Sequence, residues 1–392
     1  MKTLISREQD GLYHHDADRF PFVASLDCHD VATFAKIVNV QTNRTLFYAN
    51  ILGHMDNVKR MIERLGIPKN KVLILYEAGS LGFYPYRSFT KDKYACLVIA
   101  PSFIPDNNRN RKTNKKDCGA NLNYHLSGIL EYVSIPSPQD EDARDCLRYR
   151  TGIAQRITKQ QQRITGFVKR HGYFYDITKS TWTKKHHTWL RTLPLARTLR
   201  SILDLMLEEL DMLLHQCSRC EAVSEQLVAA TPQYLTSVSA LKLIPGLGPV
   251  NAMTIAFECR DLKRFSHPTA VPLFVGLVPG KHASGDKDPD LAITKEGNSF
   301  ARRALVGASK VYRDRRAMYT EKELTAFPPP LRDFLRKLQD RLCTRYRYLV
   351  SKGKHSNKAR CAIARELAMF LWEYQVKFLP YLDQEVVIKK AA

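Results

Sequence analysis

The sequence has no uninterrupted apolar run long enough to cross a bilayer, which excludes a membrane protein built on apolar helices. Its first residues, with Glu8, Asp10, His14, His15, Asp16 and Asp18, lack the basic start and apolar core of a signal peptide. Nine cysteines are scattered without framework spacing, so a disulfide-stapled scaffold is excluded and reduced thiols in a cytoplasmic protein are expected. Cys217-x-x-Cys220 has no second pair at finger spacing and reads as incidental rather than as a zinc site. Acids are scarce as well. There are 39 Asp and Glu against 61 Lys and Arg, a formal charge of +22, too large for an ordinary metabolic enzyme. A polyanionic partner is expected, nucleic acid first and an anionic membrane surface a weaker second.

What is present is a globular composition, 44% hydrophobic over 392 residues, enough for two or three domains. After an N-terminal extension over 1–20, residues 21–150 read as mixed α/β. A strand around Val23, a polar stretch at Thr42 to Arg44, a strand around Phe47, a helix near Asn57 to Leu65, and strands at Val72 and at Tyr94 to Ala100 follow one another. That order is compatible with a ribonuclease H-like sheet. Residues 151–235 read as basic and then coiled-coil helical, and 236–392 as helical.

Two of the apolar strands end on acids: Asp27 after Phe-Val-Ala-Ser-Leu and Glu77 after Val-Leu-Ile-Leu-Tyr. Asp117 lies in Arg-Lys-Thr-Asn-Lys-Lys-Asp, where Lys112, Lys115 and Lys116 surround it. Carboxylates converging from strand ends and a helix bind Mg²⁺ or Mn²⁺, and neighbouring cations attract the phosphate that the metal polarises. Taken singly these are scattered acids; two of three closing strands makes a shared site the better reading. Asn114, three residues before Asp117 and on the same helical face, stands where a fourth carboxylate is expected.

Between Ala154 and Arg200 the only acid is Asp176, and Phe167, Tyr173, Phe174, Trp182 and Trp189 alternate with Lys and Arg. This mixture suits a nucleic-acid groove, with Lys184 and Lys185 as backbone contacts and His186-His187 as part of the basic surface. Leu203, Leu207, Leu210, Leu214 and Val223 then recur at helical spacing, which fits either a coiled-coil dimer contact or a helix packed on its own domain.

Leu243-Ile-Pro-Gly-Leu-Gly-Pro-Val-Asn-Ala252 has the form of a helix-hairpin-helix turn, with Gly246 and Gly248 allowing tight backbone and exposed N–H groups for a phosphate. A purely structural hairpin is the alternative. Downstream, Ser284 lies between Ala283 and Gly285, near Lys281, His282, Lys287 and Lys295, followed by Arg302 and Arg303. Such a serine is exposed and surrounded by charge that would stabilise a phosphoryl transition state, although alone it reads as a surface-loop residue.

Taken in order, these segments resemble the transposases of the IS-one-ten group of bacterial insertion sequences. The resemblance runs over nearly the whole chain. It rests on Asp27, Tyr-Glu-Ala-Gly at 76–79, Ala-Pro-Ser-Phe-Ile-Pro at 100–105, Lys-Thr-Asn-Lys-Lys-Asp at 112–117, Lys-Arg-His-Gly at 169–172, Trp182 and Trp189. Its most specific parts are Ile-Pro-Gly-Leu-Gly-Pro at 244–249, Gly-Leu-Val-Pro at 276–279, Ala-Ser-Gly at 283–285 and Ile-Thr-Lys-Glu-Gly-Asn at 293–298.

The resemblance implies a RuvC-like domain with a four-carboxylate Mg²⁺ site, a coiled-coil linker and a transposase domain with a nucleophilic serine. The corresponding residues are Asp27, Glu77, Asn114, Asp117 and Ser284. It further implies a phosphoserine intermediate, an element-encoded guide (bridge) RNA that selects target and donor DNA, and a homodimer assembling to a tetramer in the bacterial cytoplasm, on the nucleoid. Asn114 departs from the acid of that pattern and should weaken metal binding. A substitution made to disable the site accounts better for an otherwise intact motif than a natural variant with a compensating ligand.

The expected function is RNA-guided cutting and rejoining of DNA. Its rivals are a DNA invertase of the same architecture acting without a guide, a nucleic-acid-binding form disabled by Asn114, and a metal-dependent nuclease that hydrolyses without rejoining.

Overall fold

The computed structural model describes residues 6–7, 13–100, 114–280, 292–314 and 318–379, with backbone alone at 6, 7, 13, 114–116 and 314. The chain divides into two compact units, Met1–Pro136 and Ser137–Ala392.

After the short strands β1 (Ser6–Arg7) and β2 (Tyr13–His14), the first unit is built on a five-stranded sheet. Its strands are β3 (Phe22–Cys28), β4 (Ala32–Asn39), β5 (Arg44–Leu52), β6 (Val72–Glu77) and β7 (Ala95–Ile99), in the order β5-β4-β3-β6-β7. The first three form an antiparallel meander, and β6 and β7 then add parallel to β3. β4 was not separately legible as a strand, because Thr33 and Lys36 interrupt its apolar residues. Between the strands lie α1 (Met55–Arg64) and α2 (Tyr84–Lys91), and α3 (Asn114–Leu126) follows β7.

Strand periodicity explains the two cores. Ala24, Leu26, Ile74, Tyr76, Cys96 and Val98 belong to one buried cluster with Val58 and Ile62 of α1, while Val23, Leu73, Leu75, Leu97 and Ile99 belong to the other with Leu122 of α3. Both faces of the sheet are therefore covered, which is why β6 reads as a continuous apolar run. Each fully buried Leu or Ile contributes roughly 2 kcal/mol of transfer free energy.

The second unit opens with α4 (Pro138–Arg170), started by a reciprocal Ser137–Asp140 capping box with Pro138 in the first turn. α5 (Lys184–Thr192) and α6 (Arg197–Ala230) follow, and α6 runs back antiparallel along α4. Leu203, Leu207, Leu210, Leu213 and Cys217 of α6 meet Ile153, Ile164 and Phe167 of α4. The leucine stripe is thus buried within the chain, and Leu214 and Val223 stand exposed. A boundary at 150 would cut α4 in the middle; the division lies at its N-terminal cap.

The remaining helices are α7 (Pro232–Lys242), α8 (Pro249–Cys259), α9 (Ala270–Phe274), α10 (Ser299–Ala308), α11 (Val311–Asp314), α12 (Glu321–Leu324), α13 (Pro329–Ser351) and α14 (Ser356–Glu373). They surround one large core that also takes in Ala143 and Leu147 of α4. Among the described residues no helix is long and apolar enough to cross a membrane.

Candidate active site and nucleic-acid interface

On the sheet of the first unit, β3 and β6 pair in parallel up to Leu26 with Tyr76, so Asp27 and Glu77 are the next residues along two adjacent strands. Neighbouring strands lie about 5 Å apart. Asp27 follows the parity of Val23, and Glu77 that of Leu73 and Leu75, so both emerge on the sheet face covered by α3. α3 packs on β3 and β4, and its Cys118 donates from Sγ to the Phe34 carbonyl at 3.4 Å. The sheet therefore puts Asp27 and Glu77 on one face, and α3, the helix that carries Asp117, packs over that face.

Asp27 is partly exposed and lies 3.2 Å from Nε2 of His29. The thiols beside it are held neutral: burial pushes Cys28 up to about 12, against a lowering hydrogen bond from Thr33 and with the Asp27 charge adding to the rise. Burial raises Cys118 as well, reinforced by Asp27. Among the described residues no three His, Cys, Asp or Glu side chains converge as a metal set. The oxygen donors suit Mg²⁺ or Mn²⁺ in kind, but Asp27, Glu77 and Asp117 do not close around one point. The Asn114 side chain lies outside the described atoms, as do those of Lys115 and Lys116, and Lys112 falls outside the described residues.

Ser284 and Lys281 also lie outside the described residues, but the backbone flanking their segment is described. Gly280 donates its N–H to the Ala292 carbonyl and Thr294 to that of Val278, each at 2.9 Å, and Pro279 bridges antiparallel to Ile293. The Gly-Leu-Val-Pro and Ile-Thr-Lys-Glu-Gly-Asn segments are thus two sides of one stem. Gly276 has φ +67°, and a Cβ there would lie 2.0 Å from the Glu296 carbonyl oxygen; one on Gly297 would lie 2.2 Å from that of Phe274. Lys295 takes a left-handed φ of +59° and donates its N–H to the Gly276 carbonyl.

Asn298 secures the stem to the helices. Its Oδ1 accepts from the Ala301 N–H and caps α10, and its Nδ2 donates to Glu258 Oε2 at 2.7 Å. Glu258, 1% exposed, accepts two further hydrogen bonds from Arg148 of α4. Arg302 is also engaged inward, donating from Nη1 to the Val275 carbonyl at 2.7 Å, and burial lowers its pKa. Arg303 on the next position is exposed.

The helix-hairpin-helix form appears as α7, a turn over 243–248, and α8. Gly246, with φ +89°, is required by packing, since a Cβ would lie 2.4 Å from the Ala308 carbonyl. Gly248 is exposed at the α8 N-terminus, with open space where its Cβ would be. Tyr312 and Tyr319 donate to the Pro245 and Leu243 carbonyls and fix the turn from inside.

The aromatic residues read as groove walls are largely used within the fold. Phe167 is buried, Tyr173, Trp182 and Trp189 pack against the same cluster, and Tyr173 donates to the Pro194 carbonyl. His186, expected on the basic surface, is buried and stacked on Trp189, because its Nδ1 accepts the Trp182 N–H. Lys184, Lys185 and Phe174 remain exposed.

The stem and hairpin coincide with the part of the chain that matches a known family: a model described as the IS116/IS110/IS902 transposase family covers residues 238–324. A Sinorhizobium fredii homologue named as a transposase, y4qE, is 31% identical over 334 residues, 83% of this chain and 81% of its own. The chain belongs to the IS116/IS110/IS902 transposase family. The transposase for insertion sequence element IS1533 of Leptospira borgpetersenii is 26% identical over 54% of this chain and 63% of its own. That for IS1111A of Coxiella burnetii is 22% identical over 57% and 61%. This insertion-sequence transposase therefore acts on DNA, in agreement with its basic surplus.

Sequence reasoning missed Arg148 and Glu258, since neither lies in an unusual local pattern. The available signal was Glu258 itself, the single charged residue in the mostly apolar run from Ala252 to Cys259.

Proposed function

We propose that this transposase cuts and rejoins DNA through a phosphoserine formed on Ser284, with Asp27, Glu77, Asn114 and Asp117 serving the same reaction and an element-encoded guide RNA choosing target and donor DNA. The observation that carries the reading is the register of Asp27 beside Glu77 at the ends of two parallel strands, on the face covered by α3, the helix that carries Asp117. The strand order, with β3 central and flanked by β4 and β6, supports a ribonuclease H-like, RuvC-like sheet.

In the proposed chemistry the Ser284 hydroxyl attacks a backbone phosphorus. An Oγ–P bond replaces one P–O bond, and the released DNA oxygen takes up a proton. The phosphoserine conserves the energy of the broken linkage, so a DNA hydroxyl reverses the exchange and joins new ends without a nucleotide cofactor. Asp27, Glu77 and Asp117 would have to draw closer together to hold Mg²⁺ or Mn²⁺, which would then supply charge neutralisation at phosphate. Gly280 and Ala292, which bracket the segment that carries Ser284, are hydrogen-bonded to each other across the stem. Assembly as a homodimer and then a tetramer would bring two DNA partners together.

The test is a covalent-adduct assay with labelled element-end DNA, element RNA and Mg²⁺, comparing the chain as given, Asn114→Asp, and Asn114→Asp with Ser284→Ala. An adduct that strengthens with Asn114→Asp and vanishes without Ser284 is expected. Cutting that persists after Ser284→Ala would replace this reading with hydrolysis by a nuclease. Salt-sensitive DNA binding with neither cutting nor adduct in any version would leave a binding protein.

A further inference from the structure

We propose that the cleft between α4, α8 and α10 in the second unit binds the sugar-phosphate backbone of a nucleic-acid strand. This rests on the reading of the chain as a protein that acts on nucleic acid, and it adds a contact surface made of other residues than Ser284 and the acids.

The cleft encloses about 590 Å³ and is lined along α4 from Arg150 to Gln162, along the start of α8 by Val250, Asn251 and Thr254, and along α10 by Phe300, Arg303 and Ala304. Among the described residues no acid lines it. Arg156, Lys159 and Arg303 are exposed at its walls, and among the described residues none of the three has an acidic partner. Arg150, which lines the same cleft, is by contrast paired with Glu221. Three uncompensated cations around a concavity repel one another until an anion occupies it. Phosphodiester groups on a continuous backbone are anions that such cations attract.

Neutral groups in the cleft suit the same ligand. Gln155, Thr158 and Asn251 offer hydrogen bonds, and Asn251 lies in the first turns of the 11-residue helix α8, whose N-terminal end is the positive end of its dipole. Phe300 lies beneath two guanidiniums, 5.1 Å from that of Arg148 and 5.9 Å from that of Arg303. Ring contact of this kind limits how far Arg303 can fold back from the opening.

Gly152 sits inside the 33-residue helix α4, where a Cβ would meet nothing within 4 Å, as is also true of Gly166 farther along the helix. At position 152, on the cleft wall, the missing side chain leaves room for a strand to approach the helix backbone. Residues 151–162 rise about 17 Å along the helix, the length of a few nucleotides, and the enclosed volume admits one strand rather than a whole duplex.

The experiment uses the full chain and fluorescence anisotropy with a single-stranded DNA, an RNA of the same sequence and the corresponding DNA duplex, over a series of salt concentrations. Three proteins are compared with the original: the triple variant Arg156→Gln, Lys159→Gln, Arg303→Gln; a charge-matched control, Lys352→Gln, Lys354→Gln, Lys358→Gln; and Gly152→Leu, which keeps every charge and fills the floor. The cleft triple is expected to weaken at least one nucleic acid tenfold or more and to reduce the log-log salt slope by about 2 to 3. The control should stay within about threefold, and Gly152→Leu should bind less well while melting no lower than the original. Whichever single-stranded probe is affected identifies the strand type, and a loss confined to the duplex overturns the single-strand cleft. A cleft triple no weaker than the control on all three probes, with the original chain binding normally, overturns the cleft. An original chain that binds none of them overturns the nucleic-acid reading and the cleft with it.

Discussion

Arg148 and Glu258, 110 residues apart, form a two-point ion pair of 2.7 and 2.8 Å in the second unit. Because Asn298 donates to the same carboxylate, one buried acid ties α4, α8 and the N-terminus of α10 to the stem that flanks the Ser284 segment.

Removing that acid should be costly. Glu258→Ala leaves Arg148 without its partner and should lower stability by about 3 kcal/mol or more, read as a shift of the urea midpoint. Glu258→Gln, which keeps part of the hydrogen bonding, should lose less. A loss under about 1 kcal/mol for Glu258→Ala would show that the pair does not hold these helices together.

Two glycines should separate structure from contact. Gly276→Ala, at a left-handed φ and against the Glu296 carbonyl, should destabilise by at least about 2 kcal/mol. Gly248→Ala, with open space around its Cβ, should stay within about 0.5 kcal/mol. Thermal melting of the two variants checks this, and equal losses would contradict the stem geometry.

The first unit should be acid-sensitive. His125, buried in α3, accepts or donates at Nδ1 with the Tyr132 hydroxyl at 2.6 Å and at Nε2 with His15 at 3.0 Å. Burial, and then His15, push it down to about 3 from an ordinary 6.5. Between these values the unfolded chain holds a proton that the folded one does not, so this group makes stability fall as pH drops from 6.5 towards 3. The slope is at most about 1.4 kcal/mol per pH unit. His125→Gln should flatten the pH dependence of the melting temperature in that window; an unchanged slope would reject the assignment.

Charge at the acid face should control metal affinity. Asn114→Asp adds a carboxylate and should tighten Mg²⁺ binding about tenfold or more, measured by titration calorimetry in the absence of DNA. Ser284→Ala should leave that affinity unchanged. Equal affinity of the chain as given and Asn114→Asp would remove position 114 from the ligand set.

Lys184→Glu with Lys185→Glu should weaken nucleic-acid binding to a similar degree for all sequences, because cations on an exposed helix start meet phosphate rather than base edges. A changed target preference, measured by competition between target sequences, would speak for base contact instead.

The sequence by itself determined the strands that carry Asp27, one residue before the end of β3, and Glu77, the last residue of β6, together with the basic surplus and the order of glycine-rich segments that belongs to a transposase family. These are local or compositional properties: side-chain alternation along a strand sets the face of an acid without reference to anything distant. Tertiary structure alone decided that α6 buries its leucines against α4, that the units divide before α4, that His186 is internal, and that Arg302 is turned inward beside an exposed Arg303. A repeat of apolar residues states that a helix has a partner, but not which one. Likewise Glu258 acquires its role only when folding brings Arg148 and Asn298 within hydrogen-bond distance, an event separated by 110 residues of chain that no local pattern encodes.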